Sequence, residues 1–261
     1  MNTNNDRPVL VCLHGWGGSK ESFTELRAVL KGEPIEILTP DLPGFGKEPE
    51  PKKPWTTDDY ANWVEEWIKE QMENGKWKME NGIHLLGHSH GGRIALKLAY
   101  RQSLKQFSNF NFQISICHLY LCAAAGIRHP RHIRRIIGLT LAKSGKFFLK
   151  LPVLKTFAPL GKKFLYKLVR VHDYEHASAV MRQTLINVSS EDLRPILKDI
   201  RIGADIFWGT NDRMTPLSDG HAMKREIRGS ILHEYERVRH SVHREKANEI
   251  ATVIHARMNL S

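Results

Sequence analysis

Ser89 is the residue whose setting in this sequence points most directly to chemistry. It stands at the centre of Gly-His-Ser-His-Gly-Gly at 87–92, after an apolar run at 83–86 and before a helical pattern at 93–99. This order predicts a strand, a tight turn and a helix, with the serine at the apex. Such a turn exposes the hydroxyl above the N-terminus of the helix, and it needs the small residues found two positions before and after the serine. The motif therefore predicts a nucleophilic serine.

Apolar runs that alternate with helical patterns indicate the fold class. The apolar runs predict buried strands at 8–13, 35–39, 83–86, 114–122, 204–208 and 231–235. Helices are expected at about 19–30, after a capping box at Thr56 and Asp59, after Ser89, and at about 245–258. This alternation predicts an α/β protein whose parallel sheet is covered by helices on both faces.

The segment 128–200 interrupts the alternation. It has no strand pattern, and its short helical patterns are broken at Pro152, Pro159 and Pro195. An insertion between two strands of a parallel sheet lies over the carboxyl edge, where active sites are found. The expected organisation is a core built from residues 1–127 and 201–261, with 128–200 inserted as a helical cap.

Length and cysteine content set further bounds. A chain of 261 residues suits one α/β core with an insertion. The three cysteines fall in apolar segments and form no C-x-x-C pair: Cys12, Cys117 and Cys122. They are expected to be core thiols, and the sequence indicates neither disulfides nor a zinc site. The sequence has no apolar stretch of membrane-spanning length, and its start lacks the pattern of a signal peptide. A cytoplasmic protein is expected.

These features resemble the α/β-hydrolase superfamily, and within it the esterase-like serine hydrolases with a helical cap, over essentially the whole chain. The family's chain order is nucleophile, acid, histidine. Trp-Gly-Thr-Asn-Asp-Arg-Met-Thr-Pro at 208–216 resembles the family's acid motif and implies Asp212 as the acid. The segment 239–245 resembles its histidine loop, where a glutamate follows the histidine by five positions, and implies His240. The resemblance thus implies a triad of Ser89, Asp212 and His240.

The chemistry of the family is acyl transfer, which requires these residue types. A serine hydroxyl is a weak nucleophile at neutral pH, so His240 would take its proton and return it to the leaving group. Asp212 would hold the imidazole in the correct tautomer. The resemblance assigns the oxyanion hole to the backbone N–H groups of Trp16 and His90. This chemistry needs no metal and no cofactor.

Several residues have a second interpretation. Asp212 stands before Thr-Pro, where it could instead cap the next helix, and His243 competes with His240 for the role of base. His14 and His88 are expected to be hydrogen-bonded structural groups. For the imidazole of His90, a position facing the pocket and one turned away from it are equally compatible with the sequence.

The chain departs from the family pattern in two places. Only seven residues precede the first strand, so the antiparallel pair with which family members commonly begin is not expected, and the sheet should have six strands, all parallel. Arg239 stands where the family often has glycine, which puts a positive charge beside the histidine. The Gly/Pro loop at 41–46 is expected to be a structural connection beside the site.

The expected activity is hydrolysis of a small carboxylic ester with an apolar acyl group, through an acyl-enzyme. Lactonase, thioesterase and carbon–carbon bond hydrolase activities remain open, because the same triad serves all of them. A serine nucleophile argues against epoxide hydrolase and dehalogenase chemistry, which in this superfamily uses a carboxylate at that position. A non-catalytic ligand-binding protein on a hydrolase scaffold is the alternative from another class.

The formal net charge of +11 is concentrated in the expected cap. The segment 128–200 holds fifteen Lys and Arg against five Asp and Glu, so the rest of the chain is nearly neutral. The sequence shows no nucleic-acid-binding module, so no nucleic-acid partner is expected. Apolar residues are interleaved with these cations, and two roles for them are open. They either cover the pocket, or they insert at an anionic lipid surface that the cations attract.

Contact of the cap with anionic lipid predicts salt-dependent binding to vesicles. The protein should co-sediment with anionic vesicles at low salt, since each Lys or Arg near such a surface contributes about 1 kcal/mol. Binding should weaken at about 1 M salt, where the Debye length falls to about 3 Å. Zwitterionic vesicles are the control. Equal binding to both kinds, or to neither, would leave the cap as a roof without a lipid role.

Overall fold

The computed structural model describes residues 7–73, 82–105, 114–128 and 177–260. Most of the expected cap lies outside these ranges, and so does most of the basic and apolar segment behind the lipid prediction; the boundaries of the cap therefore stay predictions. None of the described helices combines the length and the apolar character that crossing a bilayer requires.

The described strands form one sheet in which every neighbouring pair is parallel. In chain order they are β1 (Val9–Leu13), β2 (Glu36–Leu38), β3 (Ile83–His88), β4 (Ile116–Cys122), β5 (Ala204–Gly209) and β6 (Ile231–Tyr235). Across the sheet they lie in the order β2-β1-β3-β4-β5-β6. Every residue of β1, β3 and β5 is buried, as expected for strands covered on both faces. The prediction of six parallel strands is confirmed.

Helices flank this sheet, and they include the four that the sequence predicts for the core. After a 3₁₀ turn at Lys20–Phe23, the described helices are α1 (Thr24–Val29), α2 (Thr57–Glu73), α3 (His90–Lys105), α4 (Ala179–Ser190), α5 (Arg194–Leu197), α6 (Leu217–Glu226), α7 (Val242–Glu245) and α8 (Ala247–Met258). The predicted capping box opens α2: the Thr56 N–H donates to Asp59 Oδ2 at 2.7 Å, and the Asp59 N–H donates to Thr56 Oγ1 at 3.3 Å.

Local details differ from the prediction at three positions. The first helix begins as a 3₁₀ turn capped by Ser19, whose side chain accepts a hydrogen bond from the Glu21 N–H. The expected C-terminal helix is α8, and the separate short helix α7 precedes it because Lys246, with φ −123° and ψ 32°, leaves the helical conformation. Cys117, the second residue of β4, is exposed and not a core thiol.

The topology places a crevice beside Ser89. From β1 the chain moves outward to β2, and it then returns past β1 to β3. In open parallel sheets, ligands bind at the carboxyl ends of the strands where the winding changes direction. Here that point lies between the ends of β1 and β3, which are followed directly by His14 and Ser89.

A buried carboxylate, Asp205, ties β5 to its neighbours on the amino side of the sheet. Its oxygens accept hydrogen bonds from His118 Nε2 at 2.8 Å, His233 Nε2 at 2.7 Å and Arg257 Nε at 2.8 Å. Burial alone would raise the pKa of Asp205, but these three hydrogen bonds and the arginine charge outweigh it and lower the pKa far below its usual value. The carboxylate thereby joins β4, β6 and α8.

Replacing this carboxylate should destabilise the fold. We expect Asp205→Asn to lower the free energy of unfolding by about 3 kcal/mol at pH 7, because it removes the negative charge opposite Arg257 and leaves one acceptor oxygen for three donors. Because the pKa of Asp205 is depressed on folding, its contribution is present above the unfolded pKa of about 3.9 and is lost at lower pH.

Urea denaturation of both proteins measures this difference. The gap between wild type and Asp205→Asn should be present at pH 7 and narrow below about pH 4, where the carboxylate contribution is lost. The control is Asp199→Asn, at a partly exposed position, which should change stability by less than about 0.5 kcal/mol. Equal stability of the two Asp→Asn variants would contradict the assigned role.

Candidate active site

Ser89 occupies the apex of the turn between β3 and α3. Its φ of 51° lies in the left-handed region, which costs a non-glycine residue about 1–2 kcal/mol. The surrounding backbone holds it there: the Ser89 N–H donates to the Cys122 carbonyl at 3.1 Å, and the Ser89 carbonyl accepts from the Ala125 N–H at 2.8 Å. The turn is therefore fixed by the end of β4.

The glycines beside Ser89 are required by close backbone contacts. A Cβ on Gly91 would lie 2.0 Å from the Leu13 carbonyl oxygen, and a Cβ on Gly87 would lie 2.5 Å from the Gly92 Cα. Backbone atoms cannot move aside as a flexible side chain can, so no larger residue fits at either position. The elbow, as we call residues 87–92, thus packs directly against the end of β1.

Asp212 lies in the loop after β5, and its two carboxylate oxygens have separate partners. Oδ1 accepts hydrogen bonds from the Met214 and Thr215 N–H groups at 2.7 and 3.1 Å, which fold the loop around the carboxylate. Oδ2 lies 2.7 Å from His240 Nδ1. The alternative that Asp212 caps the next helix does not apply, because the N-cap of α6 is Pro216.

The charge state of Asp212 follows from these contacts. Burial alone would raise its pKa, but the hydrogen bond and charge of His240, the Met214 N–H and the Thr215 hydroxyl together lower the pKa below its usual value. Asp212 is therefore an ionised, buried carboxylate at neutral pH that can stabilise positive charge on His240.

The loops that carry Asp212 and His240 approach each other closely. The Thr210 N–H donates to the Tyr235 carbonyl at 3.0 Å, and the Asn211 N–H donates to the Val238 carbonyl at 3.0 Å. A Cβ on Gly209 would lie 2.3 Å from the same Val238 oxygen, so glycine is required at the end of β5. These contacts bring together two residues that are 28 positions apart in the chain.

Two side chains beside this pair differ from expectation. The Thr215 hydroxyl lies 2.8 Å from Asp212 Oδ2 and 3.3 Å from His240 Nδ1, a contact that sequence reasoning missed although the threonine stands only three residues after the aspartate. Arg239 is exposed, so its charge is directed to solvent.

Of the two histidines that compete for the role of base, only His240 contacts Asp212. His243 lies in α7 and is buried, and its Nδ1 has no hydrogen-bond partner among the described residues. Burial, with smaller effects of Arg244 and His240, lowers the pKa of His243 to about 3, although a hydrogen bond to the Ser22 backbone opposes this shift. His243 is thus a neutral, buried ring behind the site.

His14 fixes the turn after β1. The Leu42 N–H donates to His14 Nε2 at 2.9 Å, so this nitrogen carries no proton and Nδ1–H donates to the Gly15 carbonyl at 2.8 Å. Burial lowers the pKa of His14, which favours this neutral form. A Cβ on Gly15 would lie 3.2 Å from the Ser89 Cβ, which places the residue before Trp16 against the elbow.

The loop at 41–46 is a structural connection, as expected from the sequence. Asp41 accepts hydrogen bonds from the Lys20 and Lys47 N–H groups at 2.6 and 3.0 Å. Its carboxylate therefore joins the backbone at the start of the 3₁₀ turn to the backbone at the end of this loop. Beyond Leu42, the loop contributes Phe45, whose ring packs against that of Trp16 at 4.9 Å between centroids.

His90 is the first residue of α3, where backbone N–H groups have no partner within the helix. Its imidazole is buried edge-to-face against Tyr60 at 4.8 Å and Trp16 at 5.5 Å between ring centroids. Burial, followed by the nearby Arg93 and His14, lowers the pKa of His90 to about 3, so the ring is neutral. Its Nε2 is buried and has no hydrogen-bond partner among the described residues.

The arrangement suits acid–base and nucleophilic chemistry at one sheet edge: a hydroxyl on a strained apex, an imidazole held by an ionised carboxylate, and backbone donors nearby. Among the described residues, no group of three or more His, Cys, Asp or Glu could hold a metal ion. His14 and His88 are hydrogen-bonded, as the sequence predicts for structural groups.

Comparisons with known proteins agree with this architecture. A model described as "Alpha/beta hydrolase family" matches residues 10–253. Lipase 1 of Psychrobacter immobilis is 25% identical over 215 residues, which are 78% of this chain but only 62% of that relative, less than two thirds of its length. The pimeloyl-[acyl-carrier protein] methyl ester esterase of Shewanella sp. (strain MR-7) is 28% identical over 222 residues, covering 83% of this chain and 78% of the esterase.

Solved structures share the fold. The enol-lactonase from Burkholderia xenovorans LB400 aligns with a TM-score of 0.68 and 19% identity, covering 98% of this chain and 92% of the lactonase. An identity this low shows the fold alone. The family match, in contrast, runs from β1 to α8 and includes the elbow, the loop of Asp212 and the loop of His240. The chain therefore belongs to the α/β-hydrolase family.

Proposed function

We propose that this protein cleaves carboxylic esters with an apolar acyl group, with Ser89, His240 and Asp212 as its catalytic triad. The observation that carries the proposal is the 2.7 Å hydrogen bond between His240 Nδ1 and Asp212 Oδ2, at the same sheet edge as the strained turn of Ser89. Two relatives support an ester as the substrate, since one is named a lipase and the other a methyl ester esterase.

In the first half-reaction, Ser89 Oγ attacks the carbonyl carbon and His240 Nε2 takes the hydroxyl proton. Asp212 accepts a hydrogen bond from Nδ1–H, which leaves Nε2 as the unprotonated nitrogen that a general base needs. The ionised carboxylate then stabilises the imidazolium. His240 returns the proton to the alcohol oxygen as the ester C–O bond breaks, and the acyl group stays on Ser89.

The second half-reaction repeats these steps with water. His240 Nε2 takes a proton from the water as its oxygen attacks the acyl carbon, and it returns the proton to Ser89 Oγ as the bond to the enzyme breaks. The carboxylic acid leaves, and the protein is restored without a net change in protons on the triad.

The negative oxygen of both tetrahedral intermediates requires donors that are already in place. In our proposal these are the N–H groups of His90, at the positive end of the dipole of α3, and of Trp16. The contact of Gly15 with the Ser89 side chain supports the second assignment, because it brings the turn after β1 to the nucleophile.

The preference for an apolar acyl group is supported by the rings around these donors. Trp16, Phe45, Tyr60 and the neutral imidazole of His90 form one continuous set of edge-to-face contacts. Trp16 and Phe45 are partly exposed and offer apolar area without charge, whereas Tyr60 and His90 are buried and support them.

Ser89→Ala tests the nucleophile. We expect a loss of about 10⁶-fold in kcat on ester substrates, because the residue that forms the acyl-enzyme is removed. The fold should be retained, since alanine and serine bear a similar strain at φ 51°. The substrates are p-nitrophenyl esters of graded acyl length, with lactones and thioesters alongside, and circular dichroism is the control for folding.

The outcomes separate three interpretations. More than a few per cent of activity left in Ser89→Ala would contradict the assigned nucleophile. Faster turnover of lactones or thioesters than of esters would overturn the substrate class and keep the triad. Absence of fluorophosphonate labelling of wild-type Ser89 would favour a non-catalytic ligand-binding protein.

A comparison of His240→Ala with His243→Ala tests the base. His240→Ala should lose about as much kcat as Ser89→Ala, because the imidazole beside Asp212 is removed. His243→Ala, a matched change three residues away, should lose less than about tenfold, although it leaves a cavity and lowers the melting temperature. Equal loss of kcat in two folded variants would mean that the base is wrongly assigned.

A further inference from the structure

We propose that His88, the residue before the nucleophile, is a positioning residue that fixes the backbone of His240 relative to Ser89. The inference rests on the proposed function, because it concerns how the base of that triad is held in place. It assigns to His88 a role in catalytic geometry, beyond that of a hydrogen-bonded structural group.

The first observation is a hydrogen bond between two distant parts of the chain. His88 Nε2 lies 3.1 Å from the His240 carbonyl oxygen, across 152 sequence positions. A carbonyl oxygen can only accept, so Nε2–H of His88 is the donor. Because His88 adjoins Ser89 in the chain, this bond joins the nucleophile's own turn to the residue that must take its proton.

The second observation is that the His88 ring is confined on several sides. The His243 ring lies 3.8 Å away between centroids and the His240 ring 4.8 Å away. On a third side, a Cβ on Gly15 would lie only 2.9 Å from His88 Nδ1. With only 8% of its surface exposed, His88 is buried among these neighbours. Its donor is therefore held in one direction.

The third observation is how His240 is held. At its side chain, Nδ1 is bonded to Asp212 Oδ2; at its backbone, the carbonyl is bonded to His88. Two attachments at opposite ends of one residue fix both the position of its Cα and the direction of its ring. Nε2 is left for proton transfer, and the reaction requires it within hydrogen-bond reach of Ser89 Oγ.

The neutrality of His88 is compatible with this role. Burial, followed by His243 and His240, lowers its pKa well below the usual value, although the bond to the His240 carbonyl opposes the shift. A protonated ring 4.8 Å from His240 would oppose the positive charge that His240 gains during catalysis. A neutral donor holds the loop without this repulsion.

The test compares His88→Gln with His88→Leu. The amide nitrogen of glutamine reaches about as far as Nε2 of histidine and can donate to the same carbonyl, whereas leucine cannot. We expect His88→Leu to lower kcat on a p-nitrophenyl ester by about 10- to 100-fold with KM changed less than about threefold, because a displaced base slows the chemical step and not binding. His88→Gln should keep kcat within about fivefold of wild type.

A matched control, His84, lies four residues earlier on the same strand. His84 is also buried and on the same face of β3, and its Nδ1 is bonded to the Tyr120 hydroxyl at 3.0 Å, on the amino side of the sheet. His84→Leu should lower the melting temperature about as much as His88→Leu but leave kcat within about twofold. This control separates a loss of stability from a loss of positioning.

The results distinguish this inference from the proposed function. Absence of fluorophosphonate labelling in wild type would overturn both. Labelling of wild type with equal kcat in wild type and folded His88→Leu, or equal losses in the Gln and Leu variants, would overturn only the role of His88. If His88→Leu does not fold, His88→Asn takes its place, because its shorter amide cannot reach the carbonyl; it should then be at least about tenfold slower than His88→Gln, and equal rates would overturn the role.

Discussion

The approach of the elbow to the end of β1 determines the arrangement of the whole site. Gly91 packs so closely on the Leu13 carbonyl that even a methyl group would overlap it. This contact sets the N-terminus of α3 beside the turn that follows β1, where the rings of His90 and Trp16 pack against each other. A larger residue at position 91 would push the two elements apart. Such a displacement would disturb the site, because catalytic groups must keep their positions to within fractions of an ångström.

Burial controls where charge can reside around this contact. His14, His88, His90 and His243 all have pKa values lowered mainly by loss of solvent, and all are neutral neighbours of the site. Of these imidazoles and His240, His240 is the one bonded to a carboxylate. The protein thus surrounds the histidine that is bonded to a carboxylate with rings that stay neutral.

The sequence predicts the sheet well for a physical reason. Parallel strands are buried on both faces, so each appears as a continuous apolar run, and the glycine-flanked Ser89 marks the turn between β3 and α3. Asp212 and His240 were expected from resemblance to a family, and the structure brings them into contact.

The remaining contacts could not have been inferred in this way. Three sets of contacts depend on strand register and on the exact path of loops. They are the bond from His88 to the His240 carbonyl, the three partners of Asp205 and the position of Thr215 beside Asp212. A local pattern carries no information about strand register or the path of loops. The break at Lys246 has the same origin, because one residue's φ and ψ decide it within an otherwise helical pattern.

The left-handed backbone of Ser89 has a consequence for how such a protein can change over evolutionary time. Asparagine and aspartate adopt this conformation more readily than most residues. The backbone at the apex therefore fixes where the side chain stands, but it does not require that side chain to be a hydroxyl. A carboxylate could stand there without rebuilding the turn, its glycines or the loops that face it. The geometry of the fold and the identity of the reacting atom can therefore evolve separately, which allows one scaffold to acquire a new class of reaction through a change at a single residue.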